Sequence, residues 1–85
     1  MTGRNNFWGK FQYISEKQIE LVIGMRSYRK YYNMSQKEMA HICNLYGEPH
    51  GVVFTQTDIS AYERFARTPR SAKYKVLCYV LNIKQ

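Results

Sequence analysis

Residues 54–65 read FTQTDISAYERF. Thr55 stands three residues before Asp58, the spacing of a capping box. The threonine oxygen accepts an orphan amide of the first helical turn, and the carboxylate accepts the amide of the cap residue. Ile59, Tyr62 and Phe65 recur at three-residue intervals, so they supply the inner face of a short helix that runs to about Ala66. Gln56 and Thr57 then occupy its first exposed turn, and a long amide side chain in that place asks for a reason.

The segment before it has the same design. Residues 34–47, MSQKEMAHICNLYG, begin with a second capping box, Ser35 and Glu38. Met39, Ile42, Cys43 and Tyr46 follow at i, i+3, i+4, i+7. Gly47 stands where a C-terminal glycine belongs, so the spacing predicts a helix over about 36–46. Between the two helices, GEPHGVV is a loop by composition. Upstream, Ser15 and Gln18 read as an S-x-x-Q box opening a first helix. Leu21, Val22, Met25, Tyr28 and Tyr32 form its apolar face, and Asn33 is its stop. Downstream, Thr68-Pro69 reads as a cap with proline at the first helical position. A last helix over about 69–82 carries Ala72, Val76, Val80 and Ile83 as one stripe, widened by Leu77 and Leu81. VVF at 52–54 is the only β-branched run. The expected fold is therefore all-α, four to five short helices with tight connections. Residues 1–14 have no clean period and read as an arm or an extra segment, leaving 15–83 as the domain.

The chain has 85 residues, enough for one core, and a net charge of +7 from 13 Lys and Arg against 6 Asp and Glu. That surplus suits a polyanionic partner, most simply nucleic acid. No apolar run approaches the ~20 residues of a membrane span. Cys43 and Cys78 fit a reducing compartment and a buried structural role. His41, Cys43, His50 and Cys78 match no metal-ligand spacing, and no cofactor loop or catalytic constellation is recognisable, so neither a metal, a cofactor nor an enzymatic activity is expected.

Two short capped helices joined by a turn, on a basic chain, have the outline of a helix-turn-helix. That outline gives the glutamine a purpose. A recognition helix enters the major groove by its N-terminus, where glutamine can bond adenine at N6 and N7 and threonine offers a hydroxyl and a methyl. Gln56 and Thr57 suit base readout. Gln36 holds the equivalent first position of the preceding helix.

With S-Q at 35–36, L-Y-G at 45–47, F-T-Q-T at 54–57, Ile59 and Tyr62-Glu63 in this order, residues 15–82 resemble the POU-specific domain, a lambda-repressor-like helix-turn-helix. The resemblance implies adenine readout by Gln56, and a base contact by Thr57. It implies that Gln36 touches a phosphate and braces Gln56, with backbone contacts from the hydroxyls of Thr55 and Ser60. It also implies a buried ion pair between Arg29 and Glu63. Where the family carries a base-reading arginine, this chain has Ala61, so the preferred site should differ from the family's. The interval from Gln36 to Gln56 is also longer than the family's. Arg64, Arg67, Arg70, Lys73 and Lys75 follow with no acid among them, and Arg64, Arg67, Arg70 and Lys73 are expected to meet the phosphate backbone.

The expected partner is double-stranded DNA, bound by a transcription regulator in the nucleus, or in the cytoplasm if the chain is prokaryotic. The family pairs this domain with a homeodomain, which is not among these residues, so a second DNA-binding module or a protein partner is expected. Two other readings share the fold: a protein-interaction module using Tyr28, Tyr31 and Tyr32, and a prokaryotic or phage repressor.

Overall fold

A computed structural model describes residues 15–84. They form four α-helices: α1 over Glu16–Tyr32, α2 over Gln36–Gly47, α3 over Gln56–Glu63 and α4 over Ser71–Leu81. A short 3-10 turn, Glu48–His50, follows α2 directly. No strand occurs among the described residues. The segment 1–14, expected to be an arm, lies outside them.

The boundaries follow from local chemistry. The Ser35 hydroxyl accepts from the Glu38 amide while the Glu38 carboxylate accepts from the Ser35 amide, and Thr55 and Asp58 do the same for α3. Ser15 caps α1 through the Gln18 amide, but the Gln18 side chain does not close the expected box. It reaches across the molecule, donating to the carbonyl of Arg67 at 2.8 Å and accepting from the Thr68 hydroxyl at 3.0 Å. Asn33 and Asn82 end α1 and α4 in the left-handed conformation, at φ 54° and 57°.

Three expected boundaries shift, each for a visible reason. Gly47 closes α2 as a right-handed helical residue instead of a left-handed cap. A Cβ there would lie 2.5 Å from the Val52 carbonyl oxygen, so close backbone approach is what the glycine permits. Gly51 takes the left-handed turn, at φ 74°. Helix α3 stops at Glu63 and not Ala66, because Phe65 turns left-handed at φ 59° and the Ala66 amide returns to the Ala61 carbonyl at 2.8 Å. A phenylalanine in that region costs on the order of 1–3 kcal/mol, offset here by its ring packing on the core. Finally, α4 begins at Ser71 and not at Pro69. Thr68 gives its hydroxyl to Gln18, and Arg70 occupies the cap position without a side-chain cap.

The core lies where the apolar faces meet: Leu21, Val22 and Met25 of α1, Met39 and Cys43 of α2, Ile59 and Tyr62 of α3, and Leu77 and Cys78 of α4. Each fully buried large side chain contributes about 1.5–3 kcal/mol relative to exposure. The stripes run out at their ends. Tyr32, Tyr46 and Ala72 were expected on inner faces and are exposed. Between α2 and α3, Asn44 clamps the incoming chain. Its side chain donates to the Phe54 carbonyl at 3.0 Å and accepts from the Phe54 amide at 2.6 Å. Phe54 and Val52 are thereby held in the core at the foot of α3.

Candidate nucleic-acid interface

Helix α3 has two unequal sides. Asp58, Ile59, Ala61, Tyr62 and Glu63 are buried. At 3.6 residues per turn the remaining positions, Gln56, Thr57 and Ser60, and the cap residue Arg64 fall within about 100° of arc and form one outward face. Gln56, Thr57 and Arg64 are exposed, and Ser60 is half-buried. The Ser60 hydroxyl accepts from Arg64 Nε at 3.2 Å, which lays the arginine back along the helix. The Thr55 hydroxyl is engaged as the cap, accepting from the Asp58 amide at 3.1 Å.

Ala61 does not belong to this face. It is 2 % exposed, and its carbonyl accepts the amides of both Ala66 and Arg67, so the following turn folds back over it. Its buried methyl group presents no exposed surface to a base.

The N-terminal end of α3 is organised by Asp58. Its carboxylate accepts from the Thr55 amide at 3.0 Å, from Arg67 Nη1 at 3.1 Å and from Lys73 Nζ at 3.2 Å. Burial alone would raise the carboxyl pKa, but the Thr55 amide and the Lys73 ammonium outweigh it and hold Asp58 below the ordinary carboxylate range. A charge in the first helical turn also complements the helix dipole. Arg67 and Lys73, read from the sequence as phosphate contacts, are thus first of all partners of Asp58. Lys73 additionally lies 5.6 Å over the Phe54 ring. Arg70 is exposed at the foot of α4.

The C-terminal end is organised by Glu63, only 3 % exposed. Arg29 meets it with two hydrogen bonds, Nε to Oε2 at 2.9 Å and Nη2 to Oε1 at 2.7 Å. That contact raises the Arg29 pKa above its usual value. A third Arg29 nitrogen donates to the Met34 carbonyl at 3.2 Å. Gln36 donates its amide to Glu63 Oε1 at 3.2 Å. The expected brace of Gln36 on Gln56 is replaced by this bond: the first residue of α2 meets the last residue of α3, two turns from Gln56. Helices α1, α2 and α3 are tied at one carboxylate.

Three residues make long-range contacts that the sequence reading does not assign to them. Gln18 is buried at 3 % exposure and ties α1 to the turn after α3; its place one step before Leu21 and Met25 on the apolar face was the available signal. Asp58 was read only as a cap partner, and nothing in the spacing to Arg67 or Lys73 announces its ion pairs. Arg26 reaches the Glu63 carbonyl at 3.4 Å across α1 and α3, a contact without sequence signature. Among the described residues no group of His, Cys, Asp and Glu could hold a metal, and no helix is long and apolar enough to cross a membrane. Cys43 and Cys78 are free and buried, and burial pushes the Cys43 thiol up to about 12.

No protein-family model matches this chain, and no curated protein or solved structure matches it either.

Proposed function

We propose that this chain is a sequence-reading module for duplex DNA, with α2 and α3 as a helix-turn-helix of the POU-specific, lambda-repressor-like kind and α3 as the helix that enters the major groove. The observation that carries the reading is the outward face of α3. A helix otherwise buried presents Gln56, Thr57, Ser60 and Arg64 on one arc, next to the cationic residues that flank it. Gln56 pairs with adenine, Thr57 adds a hydroxyl or methyl contact, and Arg64 and Arg70 meet phosphate together with the charge that Asp58 leaves over on Arg67 and Lys73. Gln36 acts indirectly, by fixing Glu63 and the end of α3. Such a module belongs to a transcription regulator acting in the nucleus, aided by a second DNA-binding module or a protein partner, since one small module holds DNA weakly.

The test is selection from a random duplex library, repeated with Gln56→Ala. A selected motif that relaxes at one position supports the reading; an unchanged motif and affinity remove Gln56 from recognition, and failure of the wild type to enrich any duplex removes the function.

One observation favours a protein-interaction reading: Tyr31 is 81 % exposed beside Tyr32, and Leu45, Tyr46 and Tyr79 surround an open groove between α2 and α4. The same selection separates the two, because an interaction module of this fold would enrich no duplex.

A further inference from the structure

Both ends of α3 carry a buried carboxylate, and at both ends the cations outnumber it. At the N-terminal end Asp58 faces Arg67 and Lys73, with Arg70 nearby in the chain. At the C-terminal end Glu63 already holds Arg29 by two short bonds and accepts from Gln36 as well. Arg26 is a third and looser partner, its Nε 4.0 Å from Glu63 Oε1 and its side chain 62 % exposed. Lys30 follows one turn later on the same flank of α1 and is exposed, with no acidic partner among the described residues. Arg64 follows Glu63 directly and is bound to a neutral hydroxyl. Glu63 therefore faces two arginines, Arg26 and Arg29, with Lys30 and Arg64 adjacent to this end in the chain, and the exposed Arg26 and Lys30 are left with little internal counter-charge.

The separation of the two ends gives this pattern its meaning. Asp58 and Glu63 are five residues apart on α3, so the two cationic groups are anchored about 7.5 Å apart along its axis before the reach of their side chains is added. The major groove of B-form DNA is about 12 Å wide, with a phosphate strand on either side. We infer that Arg26 and Lys30 of α1 form a second phosphate-binding site, on the strand opposite the one met by Arg67, Arg70 and Lys73. This inference rests on the duplex-DNA reading and extends it: the helix that reads the bases is straddled by two cationic supports, one from the turn after it and one from a helix far earlier in the chain. Arg26 is well placed for this because its weak bond to the α3 end positions the guanidinium without neutralising it. Contacts of this kind set register and affinity and carry no base preference.

The experiment measures affinity of the whole chain for its selected duplex across a range of salt concentrations. The Arg26→Ala/Lys30→Ala variant is compared with the charge-matched Lys75→Ala/Lys84→Ala control. Each lost phosphate contact should flatten the log–log salt slope by about 0.9, so the first variant should lose about 1.8 units and the control almost none, with the selected motif unchanged in both. Circular dichroism melting checks that the variants fold. Arg26→Gln/Lys30→Gln, which keeps the side-chain stems, should show the same slope change and guards against a packing effect. If Gln56→Ala alters the motif while the Arg26/Lys30 variants keep the wild-type slope, the second site is refuted and the DNA reading stands. If the wild type binds no duplex at all, both fall.

Discussion

Arg29 of α1 grips Glu63 of α3 in a parallel, two-bond fork, with the carboxylate almost fully shielded from water. Such a pair is no guarantee of net stability, since both charges have lost hydration to form it. Removing one partner is another matter, because the survivor is left without compensation. Glu63→Ala and Arg29→Ala should each cost about 3 kcal/mol, with Glu63→Ala the worse because it strands Arg29 and Gln36 together. An Arg29→Met/Glu63→Leu double variant should recover most of the loss. Urea unfolding of the three variants decides this. If the double variant is as unstable as the sum of the singles, the pair is not a coupled unit.

The outward face of α3 separates recognition from stability. Gln56→Ala should leave the unfolding midpoint within about 0.5 kcal/mol of wild type, as for an exposed position without special geometry. In binding it should cost about 1–3 kcal/mol, concentrated at one base pair. Ala61→Arg is the counter-case. An arginine at that position would have to displace the packing around a residue that is 2 % exposed, so it should destabilise the domain by about 2 kcal/mol or more and add no guanine preference. A stable Ala61→Arg protein with a new base preference would overturn the placement of that residue.

Asp58 gives the domain an acid-sensitive joint. Its folded pKa lies below the ordinary value of about 3.9. A depressed carboxyl contributes stability that is complete above the unfolded pKa and is lost as pH falls through the folded one. Stability should therefore drop as pH falls below about 4, and Asp58→Asn should flatten that part of the profile while lowering stability at neutral pH. Urea midpoints of both proteins from pH 6 downward test this, and an equally steep acid limb in Asp58→Asn would remove Asp58 as its source.

The Cys43 thiol is buried and pushed up to about 12, so almost no thiolate exists near neutrality. Alkylation by iodoacetamide at pH 8 should be negligible in the folded domain and rapid in urea. The site of modification can be read by peptide mass. Prompt labelling of Cys43 in the native protein would mean that the α2 face opens readily.

Much of the fold was legible because the determinants are local. Capping boxes at Ser35–Glu38 and Thr55–Asp58, and stripes such as Leu21–Met25 and Met39–Cys43, depend on residues a few positions apart. The all-helical architecture followed from them. The Arg29–Glu63 pair was reached through resemblance, not through spacing. Errors fell where distant residues compete for a local group. Gln18 left its box for the carbonyl of Arg67 and the hydroxyl of Thr68, which cost α4 its threonine cap. Phe65 shortened α3 by placing its ring inward. Ala61 is buried against the turn that follows α3, a contact that no spacing in the sequence announces.

The two bonds from the Asn44 side chain to Phe54 mimic the rung a neighbouring strand would provide. They fasten the chain just ahead of Thr55, so the tilt of α3 against α2 is decided there and not by the span before it. The bend at Gly51 is surrounded by open space, but its φ of 74° and the close approach of Gly47 to Val52 limit what that short span can accept. Over evolutionary time Gly47 and Gly51 are the positions of that bend least open to exchange, and loss of the single asparagine would loosen the aim of the working helix.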